Sequence, residues 1–179
     1  MTIQNITKNQ WSQAKEIYLE AFPKAERKPF FSLRSSVLSG KAKLLTAAEG
    51  DTLLGFVLVI PFRDMVMVDY LAVSSKIRSK GTGSQILQGV CQKYAGRKIL
   101  LLIEKPEEGA INQQQRLARR RFYVKNGFSS TGIFIDGHSG NMEVLGCGAS
   151  VSPQAYLDLQ KYALGSLMFK LSKIHVVSQ

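Results

Sequence analysis

The chain has 179 residues, 45% of them hydrophobic and 21% charged, which suits one ordinary domain with an apolar core and excludes a chain that is disordered throughout. Lysine and arginine number 24 against 13 aspartates and glutamates, a formal net charge of +11. That balance favours anionic partners, such as a cofactor with several phosphates or nucleic acid, without choosing between them.

The longest apolar stretch, Leu53 to Phe62, contains Gly55 and Pro61 and is too short to span a bilayer. The start, Met1 to Gln10, is polar and lacks a signal-peptide core, so the expected location is the cytoplasm. Cys91 and Cys147 match no zinc spacing and are expected as reduced thiols. No repeat, low-complexity tract or Pro/Gly-rich linker divides the sequence, so a single domain over residues 1–179 is expected.

In chain order, Thr2 to Ile6 reads as a short strand. Thr7 can cap a helix from Lys8 to Phe22, with Trp11, Ala14, Ile17, Tyr18, Ala21 and Phe22 at helical spacing. Pro23 stops it. Pro29 can open a second helix, Phe30 to Leu38, ended by Gly40. Strands are expected at Lys43–Ala48, Thr52–Phe62 and Met65–Val73, the first two joined by a turn at Glu49-Gly50-Asp51, and the three fit an antiparallel meander. Ser74 to Lys80 is a polar loop. From Gly81 the pattern turns helical, with Ile86, Leu87, Val90, Cys91 and Tyr94 on one face. Gly96 ends that helix, and Arg97–Ile103 is a strand apolar without alternation. A helix follows at Asn112–Lys125, closed by Asn126-Gly127. Phe128–Ile135 and Asn141–Cys147 form a hairpin, and Pro153–Leu167 is helical. The fold class is α/β: a mixed, mostly antiparallel sheet with helices on both faces.

The segment that carries chemistry runs from Tyr70 to Ser84. A strand feeds a loop with two cations, Arg78 and Lys80, and Gly81 and Gly83 then open a helix. A helix start presents unpaired backbone N–H groups and a partial positive charge. Glycines allow a ligand to approach that backbone closely, and the combination suits a pyrophosphate. The loop has no Gly-Lys-Ser/Thr ending, so it is not a Walker A loop. Antiparallel strands precede it, so it is not the first turn of a Rossmann unit.

Arg78-Ser79-Lys80-Gly81-Thr82-Gly83 resembles the signature of the GNAT family of N-acetyltransferases: Arg or Gln, two residues, Gly, one residue, Gly or Ala. Tyr70-Leu71-Ala72-Val73 looks like that family's fourth strand. Arg121 to Phe128 is similar to its motif of a tyrosine followed by Gly-Phe. The order of elements fits from about Ile3 to Val144. The resemblance implies acetyl-CoA as cofactor and transfer of its acetyl group to a primary amine by direct attack in a ternary complex, at a site where the central strands splay. It implies that the backbone of Leu71, Ala72 and Val73 pairs with the pantetheine arm. Arg78, Ser79, Lys80, Gly81, Thr82, Gly83 and Ser84 would then hold the pyrophosphate, and Tyr123 would protonate the leaving thiolate of CoA. The position seven residues before Tyr123, often asparagine in the family, is Arg116. That residue belongs to a run with Arg119, Arg120 and Arg121, which is expected either to reach the adenosine phosphate or to form a solvated basic face.

An amine acceptor titrates near about 10.4, so a base or water chain is expected to take its proton. Glu104, ending a strand, and Asp69, on the strand before the loop, are the two candidate bases, and Glu26 is a candidate substrate contact. His138 and His175 are expected at the surface. No metal site is expected. The acceptor is left open among small metabolites, polyamines, aminoglycosides and protein amines. A CoA-binding sensor without activity and a basic nucleic-acid-binding protein are the alternative readings, and the C-terminal hairpin and helix are a candidate contact for a homodimer.

Overall fold

The structure is a computed structural model that describes residues 2–77, 81–137, 140–148 and 150–177. The backbone falls into two compact units, Met1–Pro61 with Val68–Ala95, and Phe62–Met67 with Gly96–Gln179.

The first unit carries β1 (Thr2–Asn5), β2 (Lys43–Glu49), most of β3 (Thr52–Phe62) and the second half of β4 (Met65–Val73), adjacent in that order. β1 and β2 are antiparallel with Ile3 opposite Ala47, and β2 and β3 are antiparallel with Leu45 opposite Val57. β3 is buried along most of its length, which explains its apolar run without alternation. A 3-10 turn at Lys8–Gln10 precedes α1 (Trp11–Ala21), and the Thr7 N–H donates to Gln10 Oε1 across it. Ala14, Ile17 and Tyr18 are the buried residues of α1, at the spacing of one helix face. The helix ends because Phe22, ahead of Pro23, is extended. Pro29 opens α2 (Phe30–Leu38), as expected.

Gly55 on β3 marks the tightest approach in this unit. A Cβ there would stand 2.6 Å from the Ala72 carbonyl oxygen on β4 and 3.1 Å from Ile86 Cδ1. The strand that ends at the glycine loop is thus seated against a position that tolerates no side chain. α3 (Thr82–Lys93) follows, with Thr82, Ile86, Leu87 and Val90 buried. At Gly89 a Cβ would come within 2.5 Å of Ile3 Cγ1, so α3 lies closely against β1.

The second unit carries β5 (Lys98–Glu104), α4 (Gln113–Lys125), β6 (Ser129–Asp136), β7 (Met142–Cys147), α5 (Pro153–Leu164), α6 (Ser166–Ser172) and β8 (His175–Val177). Its strands run in the order β5-β7-β6-β8, and each neighbouring pair is antiparallel. Leu102 lies opposite Val144, and Ile103 opposite Glu143. Leu100, Leu101, Val144, Leu145, Phe128, Tyr156 and Leu159 form its core.

Mixed α/β architecture with mostly antiparallel pairing is the expected class. The C-terminal region corrects the sequence reading. The helix expected over Pro153–Leu167 stops at Leu164, because Gly165 takes φ 80° and ψ 154°, a region open essentially to glycine alone. α6 and the three-residue β8 follow, both too short to show a period. Among the described residues no helix is long and apolar enough to cross a membrane.

Gly55→Val is expected to lower unfolding stability by about 1–3 kcal/mol, since either β4 or the new side chain must shift. Urea denaturation compared with wild type measures it.

Candidate active site

Burial alternates along the end of β4. Tyr70 and Ala72 point inward, and Asp69, Leu71 and Val73 are half-buried on the opposite face. Beyond β4 the Ser74 N–H is taken by the Leu54 carbonyl at 2.9 Å. Arg78, Ser79 and Lys80 lie outside the described residues. Gly81 caps α3 in the left-handed conformation, φ 79°, a value that disfavours any residue with a Cβ. A Cβ on it would meet none of the described residues within 4 Å. No acidic residue sits in the first turn of α3 to oppose the positive end of its dipole. Gly83 and Ser84 are half-buried in that turn.

Beside β4, the segment between α1 and α2 is fastened by phenols. The Tyr18 hydroxyl donates to the Lys28 carbonyl at 2.9 Å, and the Tyr70 hydroxyl donates to the Glu26 carbonyl at 3.2 Å and accepts the Lys28 N–H at 3.3 Å. Lys28 Nζ reaches both oxygens of Asp69, at 2.8 and 3.1 Å, and lies 5.5 Å from the centre of the Tyr70 ring. The rings of Tyr18, Phe22, Phe30 and Tyr70 pack at centroid distances of 5.0–5.6 Å. Burial, chiefly, pushes the Tyr18 hydroxyl far above the usual phenol range, with Tyr70 adding to it, and burial raises Tyr70 as well. The Glu26 side chain is exposed; its contribution to the fastening is its backbone carbonyl.

In the second unit, α4 carries Tyr123 together with the arginine run, three of whose members, Arg116, Arg119 and Arg120, are paired with carboxylates. Arg116 and Arg119 each hold one oxygen of Glu104, at 3.2 and 3.3 Å. Arg116 also donates to the Lys105 carbonyl at 3.0 Å and to Asn112 Oδ1 at 2.7 Å. Arg120 donates to both oxygens of Glu143, at 3.1 and 3.4 Å. Arg121 is exposed. Tyr123 is half-buried, with ring contacts to Phe122 and Phe128. Desolvation raises its hydroxyl above the usual phenol value, and the charge of Arg119 opposes that rise. The proton therefore stays on Tyr123 through the neutral range, the state a general acid needs.

The sequence reading did not single out Glu143, Lys28, Tyr18 or the Tyr70 hydroxyl. Glu143 did leave a signal: it is an acid inside an apolar strand, downstream of an arginine-rich helix. His175 is exposed on β8, and His138 lies outside the described residues. Among the described residues no cluster of His, Cys, Asp or Glu is arranged to hold a metal ion.

Residues 40–130, from before β2 into β6, match the family model described as an acetyltransferase (GNAT) domain. The chain belongs to the GNAT acetyltransferase family. No curated protein matches its sequence. Among solved structures, a putative GNAT-family acetyltransferase from Bacteroides thetaiotaomicron is similar, with a TM-score of 0.74 at 20% identity, covering 94% of this chain and 98% of that one. An aminoglycoside 6'-N-acetyltransferase complexed with coenzyme A gives 0.65 at 17% identity, covering 82% and 96%. A GNAT-family acetyltransferase from Elizabethkingia anophelis with acetyl-CoA bound gives 0.61 at 17% identity, covering 83% and 97%. At these identities the likeness establishes the GNAT fold.

The raised tyrosines give the stability a defined alkaline limit. Each holds its proton more tightly folded than unfolded, so its contribution is whole below the ordinary phenol value of about 10 and is lost as pH rises past it. The urea midpoint is expected to fall steeply above about pH 10. In Tyr18→Phe the midpoint is expected to start lower and to fall less steeply over that range.

Proposed function

We propose that this chain is an acetyl-CoA-dependent N-acetyltransferase that acetylates a primary amine by direct attack in a ternary complex. The observation that carries the reading is the family match over residues 40–130, which contains β4, the glycine turn, α3, β5 and Tyr123. The left-handed glycine at the start of α3 and the absence of an acid in its first turn support it, because both suit a pyrophosphate.

In this reading the backbone of Leu71, Ala72 and Val73 pairs with the pantetheine arm, and its N–H groups polarise the thioester carbonyl. Arg78, Ser79, Lys80, Gly81, Thr82, Gly83 and Ser84 hold the pyrophosphate. The neutral amine attacks the carbonyl carbon, a C–N bond forms, the C–S bond breaks, and Tyr123 gives its proton to the thiolate. Of the two candidate bases, Glu104 is held by two guanidinium groups, whereas Asp69 has one ammonium partner on a flexible stem. Asp69 is therefore the better placed to exchange that partner for an acceptor amine and take up its proton, and Glu104 serves to anchor α4. Glu26 stands at the acceptor side. The paired arginines of α4 leave few cations on that helix for a nucleic-acid backbone.

The test is CoA release from acetyl-CoA over a panel of aminoglycosides, polyamines and peptides with free N-termini, with product masses confirming one added acetyl group. At least one primary amine is expected to be acetylated. Tyr123→Phe is expected to lower kcat by about 10²- to 10⁴-fold, with little change in KM for acetyl-CoA. Acetyl-CoA binding with no acetylated product from any amine would favour a sensor instead.

A further inference from the structure

No residue of α4 is fully buried. Its sequence, Gln113-Gln114-Gln115-Arg116-Leu117-Ala118-Arg119-Arg120-Arg121-Phe122-Tyr123-Val124-Lys125, offers a narrow apolar stripe. Apolar contact alone therefore fixes neither the rotation nor the height of this helix. What reaches out from it are three arginines, and they end on two strands that are neighbours in the sheet: Arg116 and Arg119 on Glu104 of β5, Arg120 on Glu143 of β7. Arg119 and Arg120 stand four and three residues before Tyr123, on the same side of the helix.

Glu143 is the unusual member. It is 4% exposed and lies between Met142 and Val144 in an apolar strand, opposite Ile103. Burying a carboxylate is costly even where, as here, its guanidinium partner stays 40% exposed, and apolar residues in place of such a pair are often as stable or more so. The ion pair offers direction instead. The Arg120 guanidinium meets both Glu143 oxygens through two separate N–H groups, a planar two-point contact that admits one orientation. Apolar surfaces slide; this contact does not.

We propose that Arg120 and Glu143 are positioning residues for Tyr123: their two-point pair, supported by Arg116 and Arg119 on Glu104, sets the rotation of α4 and so the direction of the Tyr123 hydroxyl. The proposal rests on the reading of Tyr123 as the general acid. It assigns the buried acid of β7 a task that stability alone does not require.

The experiment compares wild type with Arg120→Met/Glu143→Leu, which replaces the pair with apolar groups of similar size, and with Arg120→Lys, which keeps the charge and removes the two-point geometry. Three quantities are read: melting temperature, kcat with KM for acetyl-CoA on the best amine of the panel, and the ring ¹³C resonance of Tyr123, assigned by its loss in Tyr123→Phe. The apolar pair is expected to melt no lower than wild type, to keep its KM for acetyl-CoA and to lose about 10- to 100-fold in kcat, the cost of a small misplacement. The Tyr123 resonance is expected to move. In a Tyr123→Phe background the same pair is expected to cost nothing further in kcat.

An unmoved resonance with wild-type kcat overturns the proposal, and so does an equal loss in both backgrounds. Should Tyr123→Phe alone keep wild-type kcat, the general-acid reading falls, and the resonance still decides whether the pair orients the ring. Should the apolar pair fail to fold, Arg120→Lys decides by the same three readouts.

Discussion

Two carboxylates on neighbouring strands, Glu104 and Glu143, govern where α4 lies. A helix this poor in apolar surface has little hydrophobic reason to lie in one orientation. Its arginines supply one, because a guanidinium fixed on a carboxylate restricts distance and angle together. The helix start follows the same logic. Asn112 stands at the start of α4 and its side-chain amide donates to Glu104, so the carboxylate that anchors Arg116 and Arg119 also holds the helix entrance. Three of the four arginines in the run thus pair within the fold, and the net charge of +11 overstates how much unpaired cation this helix offers to solvent.

The first unit solves a similar problem by different means. The segment between α1 and α2 has only a short 3-10 turn of its own, and a loop of that kind is mobile unless fastened. Here phenol hydroxyls from a helix and a strand take hold of its backbone carbonyls at Glu26 and Lys28, and the Lys28 ammonium closes on Asp69. Because the phenol bonds go to main-chain atoms, they fix the path of the loop without using its side chains. The Glu26 side chain remains exposed, as suits a substrate contact.

Much of this was legible in the sequence. The boundaries of α2, β3 and β4 follow from Pro29, the hairpin glycine and the length of the apolar runs, which are local signals. The glycine turn before α3 was legible because only glycine adopts φ 79° cheaply. The break at Gly165 was not, since a single glycine within a helical pattern is more often tolerated than helix-ending. The partners of the arginines were not legible either. Arg120 and Glu143 lie 23 residues apart with a strand between them, and nothing local tells a paired cation from a solvated one. The Lys28–Asp69 pair spans 41 residues and was hidden for the same reason.

Calorimetric titration of acetyl-CoA into wild type and Gly81→Glu decides whether the glycine turn ahead of α3 receives the pyrophosphate. The substitution sets a carboxylate in the space before the helix start and forces a side chain onto a left-handed backbone. Saturable binding to wild type and none to the variant is expected, with circular dichroism showing both folded. Equal affinity in the two proteins, or no affinity in wild type at low salt, would contradict it.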